Sequence, residues 1–214
     1  MAAPIDNSTN ASLDSLSSLT AGGVIVDIGT GDGRFVYRCA RENRSKFYIG
    51  IDANAKPLEK ISMKATRKPA KGGLANLLFI QAAIEDLPTE LNDTADEIHI
   101  HFPWGSLLRA LATGDEKALR GLHRIGVRGC LLEVVIGIDT ERDRGEIERL
   151  ALPDLSLNYI EAVLKPRYDR IGFEMREQGV LSMNEWERLH TSWARRLATN
   201  DRREVVYFIA EARK

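Results

Sequence analysis

The stretch VIVDIGTGDGRFVY (24–37) limits the fold more than any other part of the chain. Its first five residues suit a strand buried on both faces. Three glycines at alternate positions follow, and a helical pattern starts directly after them. Such a turn lets a ligand approach the backbone, because no Cβ stands in the way. The dinucleotide fingerprint is GxGxxG, with its last glycine packing the helix against the strand. Here the rhythm is GxGxG, preceded by Asp27. A phosphate-gripping loop needs a Gly-Lys-Ser/Thr ending, which this turn lacks. The turn alone leaves its ligand open.

From residue 24 the pattern becomes regular. Strands are expected over 24–28, 46–52, 77–81, 96–102 and 129–137. Helices are expected over 33–43, 55–67 and 107–122, the last with a break at Thr113-Gly114, and KPAKGG (68–73) reads as a loop. Strands alternating with helices imply an α/β fold with a parallel, doubly wound sheet and right-handed crossovers. After Gly137 come two charged segments (139–149 and 155–170) and a strand over 173–181. A helix over 184–198 follows, opened by the capping box SMNE (182–185), and a last strand spans 204–212. Two late strands joined by a helix suit an antiparallel edge on a parallel sheet. Residues 1–23 are rich in Ser, Asn, Thr and Ala, with no Lys or Arg before Arg34. They read as a loosely structured N-terminal segment with a short amphipathic helix at LDSLSSL (13–19), and 24–214 as a single domain.

At 214 residues and 43% hydrophobic content, one compact domain can bury a core. A net charge of −1 excludes a uniformly polyanion-binding surface but not a local basic patch. Cys39 and Cys130 lie in apolar segments and read as buried free thiols. No cysteine–histidine cluster has ligand spacing, so no metal is expected. No secretory pattern or membrane-spanning run is present, so a cytoplasmic protein without a membrane partner is expected.

Two later features narrow the ligand. Asp52 ends the second strand, at the separation expected of an acid that binds ribose hydroxyls. A helix N-cap before Ala55 is its structural alternative. AAIEDLP (82–88) follows the third strand, where an acidic or amide side chain can face an adenine amino group. The glycine turn, Asp52 and this loop, in that order, fit the S-adenosylmethionine site of class I methyltransferases. HIHFPWGSLL (99–108) then puts Pro103 and Trp104 at the carboxyl end of the fourth strand, which in such a sheet faces the methyl group. Enzymes that methylate base nitrogens often carry a proline and an aromatic there. Trp104 is the first candidate to stack on a base, with a core tryptophan at a strand end as the alternative. Trp193 lies in HTSWARRL (190–197) beside Arg195 and Arg196, and Trp186 lies seven residues earlier on nearly the same helical face. Trp186 is expected to pack on the sheet. A flipped base with its phosphates held nearby suits Trp193.

DIGTGDGR, FYIGID, KPAKGGL-N, the LP after the third strand, FPWGSLL and SWARRL stand here in family order. In these motifs the chain resembles the aminoglycoside-resistance methyltransferases that modify adenine-1408 of 16S rRNA at N1, the Kam and Npm type. The resemblance implies a Rossmann-like class I fold, with a mostly parallel seven-stranded sheet and an antiparallel C-terminal edge. It implies S-adenosyl-L-methionine as cofactor, bound by Asp27, Gly29, Gly31, Asp52, Ala83 and Glu85. It implies 16S rRNA in the small (30S) ribosomal subunit as partner, and a monomer. Trp104 and Trp193 would sandwich the flipped adenine, with Pro103 and Ser192 close to the reacting centre. Lys64, Arg67, Lys68, Lys71, Arg196 and Arg203 would grip the rRNA backbone. The Ser-rich start and Asp201 depart from basic family positions and imply weaker RNA docking. Two alternatives stay open: another RNA base methyltransferase of the tRNA guanine-N7 type, and a cofactor-binding homologue with weak or no rRNA methylation. His99, His101, His123 and His190 form no recognisable nucleophile–base pattern and are expected in core or surface roles.

Overall fold

A computed structural model describes residue 20, residues 22–181 and residues 204–214. The helices expected over 13–19 and 184–198 lie outside these residues. Seven strands form one sheet in the order β3-β2-β1-β4-β5-β7-β6. They are β1 Val24–Ile28, β2 Phe47–Asp52, β3 Leu77–Gln81, β4 Ala95–His101, β5 Gly126–Ile138, β6 Phe173–Val180 and β7 Glu204–Ala212. The first five pair in parallel, whereas β7 runs antiparallel to both β5 and β6. The chain winds outward from β1 to β3 and returns to place β4 beside β1. A crevice therefore opens at the carboxyl ends of β1 and β4, the switch point of the sheet.

The two sides of β1 explain why VIVDI has almost no polar alternation. Val24, Val26 and Ile28 face the larger core, with Ile98, Ile100, Leu132, Val134 and Phe208. Helix α3 (Gly105–Thr113) and helix α4 (Glu116–Ile125) cover that side with Leu108, Leu111, Leu119, Leu122 and Ile125, all at 1% exposure or less. Each such side chain stabilises the fold by about 1.5–3 kcal/mol relative to exposure. Ile25 faces the other way and packs with Tyr48, Leu77 and the inner stripe of helix α1 (Arg34–Glu42), Val36, Tyr37 and Ala40.

Several boundaries moved for local reasons. The expected break at Gly114 separates α3 from α4: Gly114 takes φ 62° and Asp115 Oδ1 accepts from Ala118 N–H at 2.9 Å. Strand β5 starts three residues before its expected start, because the pairing with β4 shifts between Ala95 and Glu97. Gly129 reads as a strand start in sequence but sits within β5 at φ 83°. The charged segments contain helix α5 (Arg144–Leu150), then a helical run of Leu157–Tyr159, a π-turn at Ile160–Leu164 and helix α6 (Lys165–Ile171). Cys39 and Cys130 are free thiols, and burial pushes them up to about 11 and about 12. Among the described residues, no three His, Cys, Asp or Glu side chains could hold a metal ion, and no helix is long and apolar enough to cross a membrane.

Candidate active site

At the switch point lies a cleft of about 430 Å³. Its floor is the glycine turn. Gly29 and Thr30 N–H both donate to Ile51 O, at 2.8 and 3.0 Å, which ties the turn to the end of β2. Gly31 has φ 59°, and a Cβ built on it would meet nothing within 4 Å. The backbone at Gly31 is therefore bare toward the cleft. Asp52 stands beside it, where Oδ2 accepts from Gly31 N–H at 2.8 Å and Oδ1 accepts from Asn54 N–H at 2.9 Å. Helix α2 (Ala55–Ala65) is capped not by Asp52 but by Asn54, whose Oδ1 accepts from Lys56 N–H at 3.2 Å. A carboxylate offers about four acceptor positions. Two remain on Asp52, the number needed for a vicinal pair of hydroxyls.

Beside Asp52, Ala83 and Glu85 line the cleft at a short 3-10 turn, Ile84–Asp86. Ala82 N–H donates to Asp52 O at 3.1 Å and ties the two segments together. Pro103 and Trp104 form the far wall with Ser106 and Leu107. Phe102 takes φ 51°, unusual for a bulky residue, while its N–H still donates to Val135 O at 2.7 Å. The buried Phe102 ring packs with Val135 and Val205, and this anchor holds the turn that carries Trp104 outward. Trp104 remains 44% exposed, so it is no core residue. One cleft thus joins Gly29, Gly31, Asp52, Ala83, Glu85, Pro103 and Trp104. A bare turn, an acid with spare acceptors and an open aromatic wall fit a nucleoside-bearing cofactor such as S-adenosylmethionine.

Asp27 is buried beneath the turn and does not line the cleft. Burial raises its carboxyl above the ordinary range, and His101 is the main opposing charge. The register pairs Asp27 with His99, and His99 with Glu133, across three strands. His99 and His101 stack at 5.3 Å between ring centroids. His101 Nε2 lies 2.5 Å from Glu133 Oε1, and His99 Nε2 lies 3.3 Å from Glu97 Oε2. This polar seam escaped the sequence reading. Its signal was there in DEIHIHF, where Glu97, His99 and His101 alternate onto one face of β4. Asn54 and Ser106 were also missed, the first because Asp52 took the expected cap.

Arg67, Lys68 and Lys71 are exposed, and Lys64 lies half-buried with its Nζ 4.5 Å from the Tyr37 ring centroid. None of the four forms a salt bridge among the described residues. The loop that carries them is fixed: Tyr37 Oη donates to Gly72 O at 2.7 Å, and Leu74 N–H to Ala65 O at 2.9 Å. Asn76, the last residue of KPAKGGL-N, is buried and donates from Nδ2 to Ala40 O, Asn43 O and Lys46 O. This loop sits at the amino ends of the strands, at the far end of α2 from the cleft. An eleven-residue helix separates the two by about 16 Å. Ser192, Trp193, Arg196 and Arg203 lie outside the described residues.

A family model described as NpmA, 16S rRNA (adenine(1408)-N(1))-methyltransferase, matches residues 5–212. A 16S rRNA (adenine(1408)-N(1))-methyltransferase from Streptoalloteichus tenebrarius is 37% identical over 188 residues, covering 86% of this chain and 84% of that one. The crystal structure of the aminoglycoside resistance methyltransferase NpmB1 is 43% identical, with a TM-score of 0.79 over 93% of this chain and 92% of the other. A tryptophan-to-alanine mutant of the 16S rRNA (adenine(1408)-N(1))-methyltransferase from Catenulisporales acidiphilia, solved with cosubstrate SAM, is 31% identical, with a TM-score of 0.85 over 96% and 93% of the two chains.

Proposed function

The chain belongs to the 16S rRNA (adenine(1408)-N(1))-methyltransferase family, and from that premise we propose that it methylates N1 of adenine-1408 in 16S rRNA. The supporting observation is the single cleft in which the glycine turn and Asp52 face Pro103 and Trp104. S-adenosylmethionine supplies an electrophilic methyl group on a sulfonium. Asp52 would hold the ribose through its two spare acceptor positions, Ala83 and Glu85 would border the adenine, and the bare backbone at Gly31 would leave room for the cofactor.

N1 of adenine carries an in-plane lone pair, so no general base is needed to generate the nucleophile. The rate then comes from alignment and from exclusion of water. The target base leaves its stack to enter the cleft, and Trp104 offers the face that receives it. Trp193 would close the sandwich from the other side. Methylation leaves positive charge on the ring, and an aromatic face favours that charge by about 0.5–2 kcal/mol. Lys64, Arg67, Lys68 and Lys71, with Arg196 and Arg203, grip rRNA phosphates. The distance of about 16 Å from cleft to loop asks for a broad folded RNA surface, as a monomer docking on the assembled 30S subunit would meet.

The test is incubation with S-adenosylmethionine and small ribosomal subunits, followed by reverse transcription across the decoding site. A methyl on N1 blocks pairing and stops the transcript at 1408. No stop, with methyl transfer to tRNA instead, would overturn the assignment. Aminoglycoside resistance in cells expressing the protein is the expected physiological readout.

A further inference from the structure

Helix α3 carries Trp104 as its N-cap, and its first turn supplies Ser106 and Leu107 to the cleft. Leu107 also abuts the cofactor turn, since a Cβ on Gly29 would come within 2.6 Å of Leu107 Cδ2. Trp104 makes no side-chain cap bond at this end, where the Glu146 carboxylate of helix α5 accepts from Gly105 N–H instead. The other end is gripped as well. Leu111, Ala112 and Thr113 O are consecutive carbonyls of the last turn, where a helix supplies few partners of its own; Leu111 O accepts from Gly114 N–H at 3.2 Å. Tyr168 Oη donates to Leu111 O at 3.4 Å and Tyr159 Oη to Ala112 O at 3.1 Å. Arg167 Nη1 donates to Thr113 O. The Arg167 side chain also lies over Gly114, whose missing Cβ would come within 3.1 Å of Arg167 Cβ and Cδ.

The π-turn at Ile160–Leu164, closed by Lys165 N–H to Ile160 O, brings Tyr168 round to the face of the other two donors. In an unbroken α-helix, positions 159 and 168 would point about 180° apart, and 159 and 167 about 80° apart. One inserted residue delays everything after it by about 100°. Arg167 then falls about 20° to one side of Tyr159 and Tyr168 about 80° to the other.

We propose that Tyr159, Arg167 and Tyr168 are positioning residues for methyl transfer, and that the π-turn is the register element that aims them. The inference rests on the reading of Trp104 as the wall that receives the target base. A nine-residue helix is about 13 Å long, so a tilt of about 5° at the gripped end moves Trp104 by about 1 Å. Misplacement on that scale costs up to about 100-fold in rate.

The test uses the full chain with Tyr159→Phe, and separately with Ala162 deleted to restore α-helical register. Readouts are the Kd for S-adenosylmethionine, kcat and KM with 30S subunits, and acrylamide quenching of Trp104 in a Trp186→Phe/Trp193→Phe background. Expected are a Kd within about twofold, a kcat lowered at least about fivefold, and stronger quenching of Trp104. Tyr159→Phe keeps the ring and its packing, so it decides the matter if the deletion fails to fold. A lowered melting temperature with kcat and Trp104 quenching unchanged would overturn the proposal. A parent chain that leaves 1408 unmethylated counts against the proposed function alone, because Trp104 quenching still reports on the grip.

Discussion

Gly31 and Gly33 offer a controlled comparison, because they share a backbone conformation and differ in what surrounds them. Their φ values are 59° and 67°. Alanine at either position carries the left-handed penalty of about 1–2 kcal/mol, partly offset by a gain of about 0.4–1 kcal/mol from a stiffer unfolded chain. A Cβ at Gly31 meets nothing within 4 Å, so Gly31→Ala costs only that net of about 1 kcal/mol. A Cβ at Gly33 would come 2.6 Å from Phe79 Cε1 and 2.8 Å from Ile61 Cγ2. Overpacking adds about 1–3 kcal/mol there. At about 2–4 °C per kcal/mol, Gly31→Ala should melt a few degrees below the parent, and Gly33→Ala a further 2–12 °C lower. Binding should rank the other way. On the proposed reading of the turn, the new methyl at Gly31 would stand in the cofactor's way, and the Kd for S-adenosylmethionine should rise at least about tenfold. Gly33→Ala, once folded, should bind more nearly as the parent does. Calorimetric titration and differential scanning fluorimetry on the two variants check both orders. An unchanged Kd in Gly31→Ala would refute the assignment of the turn. Equal melting temperatures would refute the packing argument.

Trp104→Ala should keep cofactor affinity and lose turnover in single-turnover assays with 30S subunits; equal loss of both would sink its role as a base wall. Asn76→Leu strands three backbone carbonyls at the far end of the sheet. A destabilisation of about 2–4 kcal/mol is expected by chemical denaturation, with an unchanged Kd for S-adenosylmethionine. Lys68→Ala/Lys71→Ala should reduce the slope of log affinity for 30S subunits against log salt by about 1–2 while leaving cofactor binding alone. Glu97 is held down to about 2, first by its hydrogen bond with His99 and then by Lys46 at 2.7 Å. A depressed carboxylate contributes stability above its ordinary 4.5 and loses it as pH falls toward 2. His99 is raised from 6.5, chiefly by Glu97, although burial alone would lower it. Its share is full below 6.5 and fades as pH rises through the raised value. The gap in melting temperature between the parent and Glu97→Gln should therefore be widest between pH 4.5 and 6.5 and narrow on either side.

What could be read from the sequence follows the range of the interactions involved. Strand β3 and strand β7 fell where their short apolar runs put them, because an apolar run is a local property of the chain. The glycine turn, Asp52 and FPWG were legible for the same reason. Each is a short segment whose backbone demands are written in its own residues. Asp27 shows where that stops. As one letter in DIGTGDG it reads as a cofactor ligand, and nothing in that segment announces the neighbours that β4 gives it, His99 and His101. The seam depends on a register between strands separated by some seventy residues of chain, and no local pattern encodes a register. The π-turn is a subtler case. IEAVL (160–164) has ordinary helical composition, and nothing in it announces an extra residue. Its signature is the mismatch between Tyr159 and the pair Arg167-Tyr168, whose spacing makes sense only once Leu111, Ala112 and Thr113 are known to face them. The residues proposed to line the cofactor cleft are thus readable from local sequence, whereas the residues that hold them in place become visible only when distant elements meet.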